Sequence, residues 1–174
     1  MVLADPKAPV LVGVGEASGQ KLKQSQGIEW PSTVDLASAA IGQALADSGA
    51  ADQLAASIDC LLSIRLFHDS GLPHDFGSPE NHPEAVATAA GLDPATLLYG
   101  DVGGQSPQKH LNKLACQVHA GDYKAVILSS AENMGTVKRA RRSGHALDWN
   151  RPATREMTDL RTDEDKMLTA YEWR

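Results

Sequence analysis

Short apolar runs bounded by glycine alternate along this chain with stretches in which apolar positions recur every three or four residues. Val10, Leu11, Val12 and Val14 form the first run, between Pro9 and Gly15, and predict a strand over residues 10–14. A polar segment follows, through Gly27. Ser32 or Thr33 can then cap a helix whose positions Leu36, Ala37, Ala40, Ile41, Ala44 and Leu45 share one face, with Gly49 as its stop. A second strand is predicted over 57–66, and a second helix opens at His82-Pro83-Glu84 and ends at Gly91. Residues 96–99 predict the third strand. The turn Gly103-Gly104-Gln105 leads into Ser106-Pro107, which has the form of an N-cap followed by proline at the first helical position. Leu111, Leu114, Ala115 and Val118 carry that helix to Gly121, and Ala125-Val126-Ile127-Leu128 is a run of the kind buried in a parallel sheet.

The order strand, helix, strand, helix, strand, helix, strand predicts an α/β fold of βαβαβαβ form. It is a mostly parallel sheet with helices on both faces and right-handed crossovers. Beyond Met134 the pattern changes: residues 137–149 are basic, and the stretch after them is polar and charged without a glycine-bounded strand. The chain therefore divides into an α/β domain over 1–134 and the start of a peripheral loop or helical excursion over 135–174.

Composition narrows the function classes. A formal charge of −6 and few aromatics argue against nucleic acid as a partner, since the phosphate backbone rewards a basic face. No apolar run approaches membrane-spanning length, and the first ten residues lack the apolar core of a signal peptide, so a cytoplasmic location without membrane association is expected. Cys60 and Cys116 lack metal-ligand spacing and fall in a predicted strand and a predicted helix, which suits reduced, buried thiols. Gly13, Gly15 and Gly19 have the spacing G-x-G-x-x-x-G with no prompt helix, which departs from the dinucleotide fingerprint. His68, His74 and His82, with Asp69 and Asp75, match no standard ligand set, so a loop or interface is expected there and no metal.

The segment from Tyr99 to Met134, YGDVGGQSPQKHLNKLACQVHAGDYKAVILSSAENM, resembles the nucleophile region of the thiolases. In that family the form is N-x-x-C-x-S-G-x-Q-A, followed by I-x-x-G and A-G-G-x-E-x-M. His119-Ala120-Gly121 matches the helix end, and Ser129-Ser130-Ala131-Glu132-Asn133-Met134 the segment after the next strand. NHPEAVATAAGL is similar to the family's N-P-A-R-x-x-A-L-x-A-G-L, without its arginine. The resemblance covers roughly residues 10–134 and points to the acetyl-CoA acetyltransferase and sterol-carrier-type branch, N-terminal half only. Family spacing puts Gly104 at the nucleophile position, with Ser106 at the family serine.

The resemblance implies an acyltransferase making or breaking carbon-carbon bonds on coenzyme A thioesters, in lipid metabolism, with acyl-CoA as substrate and no resident cofactor. It is atypical, because glycine supplies no thiolate. The alternative is a non-catalytic subunit that binds coenzyme A thioesters or assembles with a catalytic partner. A thiolase subunit resembles two such halves in tandem. The chain therefore looks like a fragment or half-length protein, inactive alone, with an uncovered apolar face and a homodimer or a complementary half as partner. Gly103, Gly104, Gln105 and Ser106 form the expected thioester-binding turn. Ser106 is a candidate nucleophile, with His110 or His119 as base, or else an N-cap. Glu132 is expected either to orient a polar group near the thioester or to hold loop amides. Lys138, Arg139, Arg141 and Arg142 are expected either to meet ligand phosphates or to form a solvated helix face.

Overall fold

A computed structural model describes residues 5–70 and 75–161. Its centre is a four-stranded, all-parallel sheet in the order β3-β1-β2-β4, with β1 at Ile58–Ser63, β2 at Thr96–Tyr99, β3 at Ala125–Ser129 and β4 at Thr158–Asp159. β1 is flanked on both edges, pairing Leu61 with Leu97 of β2 and with Ile127 of β3. Its alternate side chains enter different cores. Leu61 packs with Val34, Ile41, Val86 and Leu97 on one face, whereas Cys60 and Leu62 pack with Leu98 and Leu114 on the other. Burial on both faces explains why the strands read as continuous apolar runs instead of alternating ones.

Six helices accompany the sheet among the described residues: α1 (Gly19–Gln26), α2 (Thr33–Asp47), α3 (Ala51–Ala55), α4 (His82–Ala89), α5 (Ser106–Ala120) and α6 (Met134–Arg142). Between residues 32 and 129 the expected helices and strands are present, with the second strand shortened to Ile58–Ser63 and the short α3 added, and local chemistry marks several of their ends. Ser32 and Asp35 form a reciprocal capping box at α2, the Ser32 amide donating to Asp35 Oδ2 at 2.8 Å and the Asp35 amide to Ser32 Oγ at 3.1 Å. Asn81 Oδ1 accepts the Glu84 amide at 3.0 Å to open α4. Gly121, at φ +88, closes α5 in the left-handed region that favours glycine.

Four expectations are corrected. Residues 10–14 join no strand among the described residues; they lie at the surface outside any regular element, with Val10 and Leu11 more than three-quarters exposed. The βαβαβαβ order therefore loses its first strand. Its apolar run signals burial, yet no strand lies beside it to pair. The polar segment after it contains α1, capped by Ser18 and stopped by Gly27 at φ +70. Leu22 is its one buried residue, too little for an apolar stripe. Cys116 is exposed instead of buried, because its place on α5 points away from the Leu114 face. Finally, the tail supplies β4, which extends the sheet beyond β2 through Leu98↔Thr158 and Tyr99↔Asp159.

The backbone leading to β4 is strapped to the sheet domain by polar contacts. Thr154 donates its hydroxyl and amide to the Glu84 carboxylate, and Arg155 reaches Asp93 Oδ1 at 3.0 Å and the Pro94 carbonyl at 2.6 Å. His74 and residues 162–174 lie outside the described residues.

Candidate functional site

In an open parallel sheet the carboxyl ends of the strands present the loops that bind ligands. Here β2 delivers the chain through Gly100 and Asp101 into the turn Gly103-Gly104-Gln105, and α5 begins at once. Gly100 is required by a close approach: a Cβ there would stand 2.8 Å from His110 Nε2. Gly103 has φ +129, a conformation that disfavours side chains. Gly104 differs from both, because it is exposed, lies outside the left-handed region, and a Cβ built on it meets nothing within 4 Å. Gly104, the residue that the resemblance aligns with the family nucleophile, thus stands open at the N-terminus of a 15-residue helix, where the macrodipole favours negative charge.

Directly behind this turn is a buried polar cluster. Ser106 Oγ donates to Asp101 Oδ2 at 2.9 Å, His110 Nε2 lies 2.5 Å from Asp101 Oδ1, and the more exposed Lys109 Nζ lies 3.3 Å from Oδ2. Ser106, His110 and Asp101 are all buried. Burial pushes the Asp101 carboxyl up, but donation from Ser106, its own backbone, Lys109 and His110 outweighs this and holds it below its ordinary value. An ionised carboxylate accepts only, so the His110 proton is on Nε2.

This geometry corrects the N-cap reading of Ser106. The helix begins with Ser106 itself, Gln105 is the cap residue and its side chain makes no capping bond, and the Ser106 hydroxyl turns back to Asp101. Nor is Ser106 activated by histidine. His110 and Ser106 bond different oxygens of one carboxylate instead of each other, and His119 Nδ1 lies 3.2 Å from the Lys7 carbonyl. Asp101 was missing from the sequence-based candidates. Its partners follow at i+5 and i+9 across a strand end, a turn and a helix, where no single period applies.

The remaining candidates are placed separately. Glu132 follows β3, and its Oε1 accepts the Phe67 amide at 2.6 Å, so it fixes the loop after β1. Arg139 donates to the Glu29 carbonyl at 2.8 Å and lies 4.8 Å over the Trp30 ring, while Arg141 pairs with Asp75. Lys138 and Arg142 are exposed on the same helix. The bonds of the basic cluster therefore run to Glu29, Trp30 and Asp75 and not to the glycine turn. Between turn and β4, Arg65 spans Gly100 and Asp159, its Nε 3.1 Å from the Gly100 carbonyl and its Nη2 2.7 Å from Asp159 Oδ1, and lies 4.1 Å over the Tyr99 ring. The Tyr99 hydroxyl donates to Asp69, and Asp69 and His82, both weighed as ligands, are thus engaged within the fold: His82 Nε2 is 3.2 Å from Thr33 Oγ1. No helix among the described residues is long and apolar enough to cross a membrane.

No family model matches the chain, and no curated protein matches it. Among solved structures it is similar to a monomeric SCP2-thiolase like protein type 1 (STLP1) from Mycobacterium smegmatis, at 34% identity with a TM-score of 0.58. The match covers 75% of this chain and 24% of that one, so the chain spans about a quarter of its neighbour's length.

Proposed function

We propose that this chain, whose fold is thiolase-like, holds a coenzyme A thioester at the turn Gly103-Gly104-Gln105-Ser106 without forming an acyl-enzyme. One observation carries this reading: the position at the mouth of α5 is open and bears no side chain, while the nearest hydroxyl, on Ser106, is buried and donates to Asp101. Turn amides at a helix N-terminus suit the partial negative charge of a thioester carbonyl oxygen. Polarising that carbonyl requires no nucleophile; splitting the thioester by acyl transfer does. Arg139 and Arg141 have protein partners, so Lys138 and Arg142 are the members of the basic cluster left to meet coenzyme A phosphates. The acyl pocket would then be completed by polypeptide outside these residues, as a complementary thiolase half or another subunit.

The experiment is calorimetric titration with acetyl-CoA followed by peptide mapping after incubation with radiolabelled acetyl-CoA. Saturable binding with no label on the peptide spanning 99–113 is the expected result. Label on Ser106 or on Cys116 would make the chain an acyltransferase with a displaced nucleophile. Heat-free titrations at millimolar acetyl-CoA, with no shift in thermal unfolding, would remove the thioester from the turn altogether.

A further inference from the structure

Arg65 follows β1 by two residues and is 6% exposed, although a guanidinium taken out of water is costly unless its donors are used. Its donors point two ways. Nε reaches the Gly100 carbonyl at 3.1 Å and Nη2 reaches Asp159 Oδ1 at 2.7 Å, while the guanidinium carbon lies 4.1 Å from the centre of the Tyr99 ring. Tyr99 is itself pinned, because its hydroxyl accepts the Leu66 amide at 3.1 Å and donates to Asp69. Asp159 is braced in turn by Arg161, whose Nη2 lies 2.7 Å from Oδ2. A planar fork held at both prongs and against one ring face has a fixed orientation, which the single ammonium of a lysine could not reproduce.

What the fork holds is the peptide unit between Gly100 and Asp101. Its carbonyl accepts from Arg65, and its N–H donates to the Asp101 carboxylate. Because the unit is planar, tilting one end tilts the other. The Asp101 carboxylate also accepts from Ser106 and His110 of α5, so hydrogen bonds run without a break from Asp159 on β4 to the helix that follows the glycine turn. We infer that Arg65 is the positioning residue of the turn Gly103-Gly104-Gln105, and that Asp159 acts on the turn through it. β4 pairs only its two residues with Leu98 and Tyr99, so its attachment depends on side chains such as Asp159. When Asp159 is lost, the buried guanidinium gains by turning toward water, and that turn takes Nε off the Gly100 carbonyl. The segment after residue 134 thereby sets the geometry at the head of α5. The consequence for ligand affinity rests on the thioester reading of that turn; the positioning does not.

The test compares Asp159→Ala, Arg65→Lys and the double variant with the 174-residue chain by amide hydrogen exchange. The Asp159 side chain is one-third exposed, so its removal leaves the β4 backbone in place and no buried cavity. Lysine keeps the charge at 65 but not the fork. Each single substitution should speed exchange at Asp101 and Ser106, whose amides bond the Asp101 carboxylate and the Gly103 carbonyl, by about tenfold, with Leu61 and Ile127 unchanged. The double variant should exchange no faster at the turn than Arg65→Lys alone, since Asp159 then has nothing to act through. Should Arg65→Lys not fold, Arg65→Met, uncharged and of similar length, takes its place in the cycle. Additive effects at the turn, exchange raised equally at Leu61 and Ile127, or unchanged exchange at Asp101 and Ser106 would each overturn the inference. In the same samples acetyl-CoA affinity should fall in step with the faster exchange. Absence of any binding by the unsubstituted chain removes the thioester reading alone, because exchange at Asp101 and Ser106 is read without ligand.

Discussion

Replacing Asp101 by alanine tests whether the buried cluster behind the glycine turn is what holds that turn on the sheet. Asp101 is 5% exposed, and its two buried partners, Ser106 and His110, are at most 1% exposed. Each hydrogen bond to a charged group contributes about 1.5–3 kcal/mol, and removing one member of a buried ionic cluster costs about 3–5 kcal/mol because the survivors stay buried without partners. Lys109, half exposed, adds at most about 1 kcal/mol. The expected loss is therefore about 4 kcal/mol, a Tm decrease of about 8–16 °C for a chain of this length. Ser106→Ala removes one donor and leaves Asp101 its own backbone amide, Lys109 and His110, so about 1–2 kcal/mol is expected, and the double variant should fall short of the sum. The folded Asp101 carboxyl lies below its ordinary 3.8. Its contribution is thus present above that value and disappears as the pH falls through the lower folded value, where Asp101→Ala and the wild type should converge. Urea unfolding at pH 7 and in acid reads both effects. A loss under 1 kcal/mol at pH 7, or a gap that stays constant into acid, would refute the assignment.

Gly104→Cys should fold normally, since the site is open and its backbone needs no glycine, and its thiol should alkylate with iodoacetamide far faster than Cys60. Burial pushes the Cys60 thiol up to about 11, leaving roughly one thiolate in ten thousand at pH 7; equal rates by peptide mapping would contradict the geometry of the turn. Burial also pushes the His82 imidazole down to about 4 from 6.5, so the unfolded chain takes its proton first. Stability is then full above 6.5 and falls by roughly 3 kcal/mol as the pH drops to 4. His82→Gln should flatten this stretch of the denaturation profile, and an unchanged slope would assign the titration elsewhere. Gly15→Val should lift residues 10–15 off α2 and speed limited proteolysis there, with far-ultraviolet circular dichroism unchanged; undiminished resistance would mean that the segment is not seated on the Ala40 carbonyl.

Much of the sheet domain was legible because its signals are local. The apolar runs around Leu61, Leu97 and Ile127 are continuous as a strand covered on both faces must be, and Ser32, Asn81 and Gly121 mark helix ends by short-range hydrogen bonding or a left-handed backbone. α1 was illegible because it buries one leucine, and β4 because two residues carry no period. What holds β4 is distant in sequence: Asp159 meets Arg65, and the Leu160 amide reaches the Tyr99 carbonyl at 2.9 Å. The misassigned first strand is the most informative error. Val10, Leu11, Val12 and Val14 encode burial, and the fold leaves them at the rim of a groove whose far wall is an open sheet edge.

The site divides along the same line. Gly103, Gly104 and the start of α5 could be located from spacing, since a strand-to-helix turn is written in consecutive residues. Asp101 could not, because its role depends on a carboxylate at a strand end meeting side chains from two successive turns of the next helix. That cluster also decides between the two expectations for Ser106. A hydroxyl that must donate to Asp101 to satisfy a buried carboxylate is withdrawn from the helix end and from chemistry there together. The mouth of α5 is left with exposed glycine and backbone, which under the proposed function would polarise a thioester carbonyl without attacking it. A thiol placed at the mouth of α5 by Gly104→Cys would therefore require nothing of Ser106, and the Asp101→Ala variant, by releasing Ser106, should not substitute for it in labelling by iodoacetamide.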